Sequence, residues 1–142
     1  MVVNDPIVLA EVEAEFAGYE RALVANDVEA LNRFFLDSTH TIRYGVAESL
    51  YGHGAIRAFR AARPSVGLAR RLEKTVITTY GADYAVAATL FRRDGAPGKI
   101  GRQMQSWVRF PQGWRVVGAH VSIIDEGSDS TQTGTFLSRS GG

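Results

Sequence analysis

Residues 68–124 read LARRLEKTVITTY, GAD, YAVAATLFRR, DGAPG, KIGRQMQSWVRF, PQG and WRVVGAHVSII, four long runs separated by three short ones. The long runs, about Leu68 to Tyr80, Tyr84 to Arg93, Ile100 to Phe110 and Trp114 to Ile124, are rich in the β-branched and aromatic residues that suit a pleated, half-buried surface. The separators Gly81-Ala82-Asp83, Asp94-Gly95-Ala96-Pro97-Gly98 and Pro111-Gln112-Gly113 hold the glycine, proline and aspartate of tight reversals. Neighbouring runs are therefore hairpins, and the sheet is expected to be antiparallel.

Upstream the apolar period lengthens to three and four. Val8, Val12, Phe16, Tyr19 and Leu23 draw one stripe on a helix that Asp5 caps and Pro6 opens, while Glu11, Glu13, Glu15 and Glu20 are placed on its other face. After Asn26-Asp27, the residues Val28, Leu31, Phe34 and Phe35 give a short second helix packed back on the first. Thr39 to Tyr44 is β-prone, Gly45 to Gly54 supplies a turn and a short continuation, and Ala55 to Ala62 is a third helix ended by Pro64. Helices first and long hairpins after predict an α+β fold, with helices covering one face of a curved sheet and Tyr19 pointing into the enclosed pocket. Residues 1–125 are read as one domain, and the polar, Gly/Ser/Thr-rich stretch 126–142 as a disordered tail.

Composition narrows the chemistry. The chain has 142 residues, 45% of them hydrophobic, and a net charge of +1 with basic residues spread along it, so one core is expected and no nucleic-acid partner. The lack of cysteine removes disulfides, thiolate nucleophiles and thiolate metal ligands together. Of 16 basic residues only Lys74 and Lys99 are lysines, which leaves fourteen rigid guanidinium forks suited to carboxylates or phosphates. A GC-rich genome would produce the same bias. With neither a secretory leader nor a bilayer-length apolar stretch in view, a cytoplasmic protein without membrane contact is expected.

Phosphate loops, paired histidines at helical spacing and nucleophile elbows are absent from the sequence, and His40, His53 and His120 are scattered, so neither a metal nor a cofactor is expected. Tyr19 lies on an apolar stripe, where its buried hydroxyl needs either a backbone carbonyl or a ligand. In the strand Thr39 to Tyr44, alternation separates Arg43 from Ile42 and Tyr44. If the Arg43 face meets the helices, a buried guanidinium requires an anion; if not, Arg43 sits in solvent. In the last strand Val117, Ala119, Val121 and Ile123 suit a pocket wall, which would put Trp114, Val116, His120 and Ile124 on the outer side of the sheet. An apolar patch of that size predicts a homodimer through the sheet face.

Gly101 to Phe110, followed by Gly113-Trp114-Arg115-Val116-Val117 and Ala119-His120-Val121-Ser122, resembles the C-terminal signature of the AtzH-like family, which includes the HpxZ proteins of oxalurate catabolism. The resemblance covers about residues 5–125 and implies a SnoaL-like, cystatin-like (nuclear-transport-factor-like) cone. It implies an activity as well: decarboxylating hydrolysis of a dianionic acylurea such as 1,3-dicarboxyurea to allophanate, in cyanuric acid or ureide catabolism, beside an amidase-signature enzyme. The family's proposed catalytic tyrosine and arginine are matched by Tyr19 and Arg43. A similar pocket in the association domain of calmodulin-dependent kinase implies substrate-binding positions at Arg70 and Gln105. Arg43 stands near where ketosteroid isomerases place a carboxylate base, which disfavours steroid-type proton abstraction. The rival reading is a non-catalytic protein that binds a small anion or serves an amidase pathway as an accessory, since this fold often hosts binding alone.

Overall fold

Asp5 opens the first helix by accepting hydrogen bonds from the backbone N–H groups of Ile7 and Val8 at 3.0 and 3.3 Å, with Pro6 at the first helical position. The computed structural model describes residues 1–127. Helix α1 runs Pro6–Val24 and buries Val12, Phe16, Tyr19, Ala22 and Leu23. Asn26 takes a left-handed conformation (φ 51°), Asp27 caps Ala30 N, and α2, Val28–Phe34, folds back on α1. Then come β1 (Ile42–Tyr44), β2 (Ser49–Tyr51), α3 (His53–Ala62), β3 (Arg71–Tyr80), β4 (Tyr84–Arg92), β5 (Lys99–Phe110) and β6 (Gly113–Asp125).

The six strands form one sheet in the order β2-β1-β6-β5-β4-β3. The three predicted hairpins are present, but the sheet is mixed: β1 runs parallel to β6, with Arg43 opposite Ala119. The departure has a simple cause, because β1 reaches the sheet from a helical hairpin rather than from a turn. The free edge of β3 is partly covered by the N-terminal segment, where Asn4 N donates to Thr79 O at 3.0 Å and Thr79 N to Asn4 Oδ1 at 2.9 Å. Among the described residues no helix is long and apolar enough to cross a membrane.

Two bulges bend this sheet. In β3 the register shifts between Glu73 and Val76, around Lys74 at φ 52°. In β6 the pairing passes from Ser106–Gly118 to Trp107–Val116, which leaves Val117 without a partner on β5. The second bulge corrects the sequence-based face assignment. Strict alternation put Trp114 and Val116 outside, yet both are buried against the helices, at 4% and 0% exposure, and Ala119 packs on the same side after the bulge. His120 is outward as expected. The outer face instead exposes Ile42, Tyr44, Tyr51, Tyr80, Tyr84 and Met104.

The core sits between α1–α2 and the concave face. Phe34 meets Tyr19 and Trp107 edge-on, with centroids 5.9 and 6.1 Å apart, and Phe35 tilts against Tyr19 at 6.2 Å. Glu126, where the expected tail was read to begin, donates its backbone N–H to Gly98 O, and its carboxylate pairs with Arg92 at 2.9 Å. The rest of that stretch, 128–142, lies outside the described residues.

Candidate functional site

Tyr19 faces the interior, as its stripe predicted, and is 4% exposed. Its ring is a core element between Phe34 and Phe35, so packing fixes where the hydroxyl points. Tyr19 and the guanidinium of Arg60 both pack on the Phe35 ring, and the nearby hydroxyl works against the lowering of Arg60 by burial. Tyr19 thus combines the core role with a polar one.

Arg43 takes the inward face, since its cross-strand neighbours are Ala119 and the half-buried Leu50, and its side chain is 12% exposed. Its Nη1 donates to Glu48 Oε2 at 2.8 Å, and the guanidinium lies 5.6 Å above the Phe59 ring. Glu48 reaches Arg43 by folding back across Gly45, where a Cβ would overlap its carboxylate. The turn sequence therefore carries a specific requirement: residue 45 must lack a side chain for Glu48 to hold Arg43.

Arg60 and Arg63 complete this group, and the sequence reading passed over both. α3 buries His53, Ile56 and Arg60, a spacing of three and four that marks its inward stripe. An arginine in register with Ile56 was the available signal. Arg60 is 2% exposed and lies 4.5 Å over the Phe35 ring, with Nη1 lacking a partner among the described residues. Burial lowers its proton affinity, the Tyr19 hydroxyl opposes that shift, and Arg43 and Arg63 add to it as like charges. Arg63 is lowered for the same first reason, burial, and then by Arg43.

Arg70 belongs to a neighbouring cluster. Glu20 grips it bidentately, accepting from Nε at 2.9 Å and Nη2 at 2.7 Å, and Gln103 Oε1 accepts a third bond at 3.0 Å. Glu20 had been placed on the outer face of α1; it lies four residues after Phe16 and three before Leu23, on the margin of the buried stripe, and leans inward. Arg70 and Arg93 both lie over the Phe91 ring, at 4.5 and 4.8 Å. Phe91 in turn covers Gly101, where a Cβ would overlap its ring edge. Burial lowers Arg93, as do the like charges of Arg70 and Arg63, so Arg63 links the two clusters electrostatically. Gln105 is buried on the concave face, and its Oε1 accepts from Trp107 Nε1 at 3.1 Å.

Of the residues named from sequence, Tyr19 and Arg43 meet around Arg60 and Arg63, Arg70 stands at the adjoining cluster, and Gln105 lies on the floor beside Trp107. Arg70 and Arg93 also line a cleft of about 500 Å³ with Arg71, Arg92 and Asp94, which gives this end of the cone a cationic rim. Among the described residues no group of three or more His, Cys, Asp or Glu could hold a metal ion. His53 instead ties elements together, Nε2 lying 2.8 Å from the Asn32 carbonyl oxygen.

Helices laid over one concave sheet, with a polar interior inside an apolar shell, define the cystatin-like cone. The chain belongs to the AtzH-like family, whose model matches residues 1–127. It is similar to a DUF3225-family protein of unknown function from Pectobacterium atrosepticum, at 58% identity over 87% of this chain and 95% of that one, TM-score 0.85. A cystatin-like fold protein from Burkholderia xenovorans shares 49% identity over 88% of this chain and 98% of that one, TM-score 0.84. An uncharacterised cystatin-like fold protein from Caulobacter vibrioides, at 17% identity over 90% and 96%, TM-score 0.72, shares the fold alone. No curated protein matches the chain.

Proposed function

We propose that this protein is a small decarboxylating amidohydrolase acting on a dianionic acylurea of the 1,3-dicarboxyurea type. The observation that carries the reading is that buried Tyr19 and Arg60 share the Phe35 ring, with the largely buried Arg43 near enough to act on Arg60 as a like charge. Such an interior favours an anion, because contacts made away from water are stronger and bidentate forks orient what they hold. In the reaction the bond between a urea nitrogen and a terminal carboxylate breaks, and its electron pair goes to nitrogen. The nitrogen takes the proton of the Tyr19 hydroxyl, solvent restores that proton, and allophanate and carbon dioxide leave. Arg43 stabilises the charge that develops on the urea oxygen. Arg70 and Gln105 are assigned to holding the far end of the substrate. The substrate itself would come from an amidase-type step, since deamination of a carboxylated biuret leaves such a dianion.

The test is to incubate the purified protein with 1,3-dicarboxyurea and with oxalurate while following carbon dioxide and allophanate. Release above the spontaneous rate supports the reading, and tight binding without release would make the protein a non-catalytic anion carrier. One observation favours that second reading: Glu20 and Glu48 are both tied to arginines, which leaves the proton chemistry to Tyr19 alone.

The outer face of the sheet is assigned to a second copy of the chain. Ile42, Tyr44, Tyr84, Met104 and His120 line an apolar groove of about 390 Å³ there, and Tyr44 and Tyr51 are exposed beside it. Light scattering at micromolar concentration is expected to give twice the chain mass. Replacing both Tyr84 and Met104 by Glu should give the monomer mass, and a monomeric wild type would remove the assignment.

A further inference from the structure

Charge pairing inside the cone is uneven. Arg43 has Glu48 at 2.8 Å and Arg70 has Glu20 at 2.7 Å, whereas no ion pair among the described residues involves Arg60 or Arg63. The Arg63 side chain donates from Nη2 to Asn26 Oδ1 at 3.2 Å, and its Nε is buried without a partner among those residues. Arg60, at 2% exposure, rests on the Phe35 ring and has Nη1 unpartnered. A guanidinium does not escape this cost by losing its proton at neutral pH. Removing a charge from water without a counter-ion is among the most unfavourable arrangements in a protein interior. Aromatic stacking offsets only a small part of it. The group with unmet demand for an anion is therefore the end of α3, and Arg43, which drew attention in the sequence, already has its carboxylate.

We propose that Arg60 is the residue that takes a carboxylate of the ligand, between the Phe35 ring and the Tyr19 hydroxyl, with Arg63 as the second cation of the same subsite. The assignment rests on the acylurea reading only in requiring a carboxylated ligand. In this arrangement Arg60 holds the carboxylate that the product keeps, and Arg43 keeps its place at the urea oxygen. The placement also fits the packing. Phe35 supports the guanidinium from one face, and Nη1 is left without a partner among the described residues.

Malonate, a simple dicarboxylate, is the probe, with binding measured by titration calorimetry on the full chain. Wild type should bind it, and Arg60→Gln and Arg60→Met should each raise Kd by at least about tenfold, the loss expected for one charge-assisted contact. Arg60→Lys should recover little, because an ammonium cannot replace the bidentate fork. Arg57→Gln, which removes the same charge from the exposed side of α3, should bind as wild type does. Arg60→Met should also unfold at a higher temperature than wild type, since a buried, unpaired charge is replaced by an apolar chain of similar length. Kd within twofold of wild type in Arg60→Met or Arg60→Gln, no malonate binding by wild type, or failure of both variants to fold would each overturn the assignment. The reaction can fail separately. Arg60-dependent malonate binding without turnover of carboxylated ureas keeps the subsite and removes the hydrolase, and turnover with unchanged KM in the Arg60 variants does the reverse.

Discussion

Tyr19→Phe should lower kcat/KM for a carboxylated urea by about a hundredfold to ten-thousandfold, the range over which a positioned proton donor acts, and leave thermal stability nearly unchanged. The packing supports the second half of that statement. Phe keeps the ring contacts to Phe34 and Phe35 that hold this side chain in the core. Arg43→Ala should be at least as damaging for a different reason, because it removes a cation and also leaves the Glu48 carboxylate beside the site without its ion-pair partner. A substrate that is itself doubly negative would then meet repulsion, so KM should rise steeply. Arg43→Ala combined with Glu48→Gln should recover part of that rise but not kcat. Steady-state kinetics with circular dichroism as the folding check decide the matter, and a wild-type rate in either single variant would refute the roles given to these residues.

The second large effect concerns the floor of the cone. Trp107 is 0% exposed, meets Phe34 edge-on and donates its indole N–H to Gln105. Truncation to Ala should cost about 3–5 kcal/mol from lost burial and the cavity left behind. Against the roughly 5–15 kcal/mol that holds a domain of this size together, that is about a fifth of the total or more. Urea denaturation followed by circular dichroism should show the midpoint falling sharply with little change in slope. Trp107→Phe should retain more than half of the stability, because the contact with Phe34 survives in part. A Trp107→Ala midpoint close to wild type would mean that the helices, not the sheet floor, dominate the core.

The outline of the fold was legible because it rests on periodicity. The stripe Val12, Phe16, Tyr19, Leu23 and the three turn segments between the long strands follow directly from side-chain spacing, and each is found where expected. Two features were not legible. The Val117 bulge inserts one residue into a regular alternation, and nothing in Val116-Val117-Gly118 says which residue is left unpaired until β5 supplies the register. As a result Trp114 and Val116 were read on the wrong side. The parallel seam between β1 and β6 joins strands far apart in the chain, and alternation within either strand is the same for both directions.

The site was legible only in part, and for a related reason. Tyr19 and Arg43 came from a family likeness, and the structure puts both in the interior. Arg60 was hidden by its residue type, since arginine in a helix is normally a solvated side chain, and only its spacing from Ile56 spoke otherwise. Glu20 and Glu48 were equally silent. A sequence shows which carboxylates exist, but which arginine each one neutralises depends on folds such as the reach of Glu48 across Gly45.

That reach makes Glu48 a resident competitor. Its carboxylate accepts from one donating edge of Arg43 before any ligand arrives, so a ligand that approaches this arginine enters an exchange in which one carboxylate replaces another of nearly equal strength. A monoanion gains almost nothing from the swap. A ligand with a second negative group gains more from that group's contact, because among the described residues no carboxylate is ion-paired to Arg60 or Arg63 at the end of α3. The protein thus carries its own reference anion at Arg43, and a ligand carboxylate gains most at the end of α3, where no ion pair has to be exchanged.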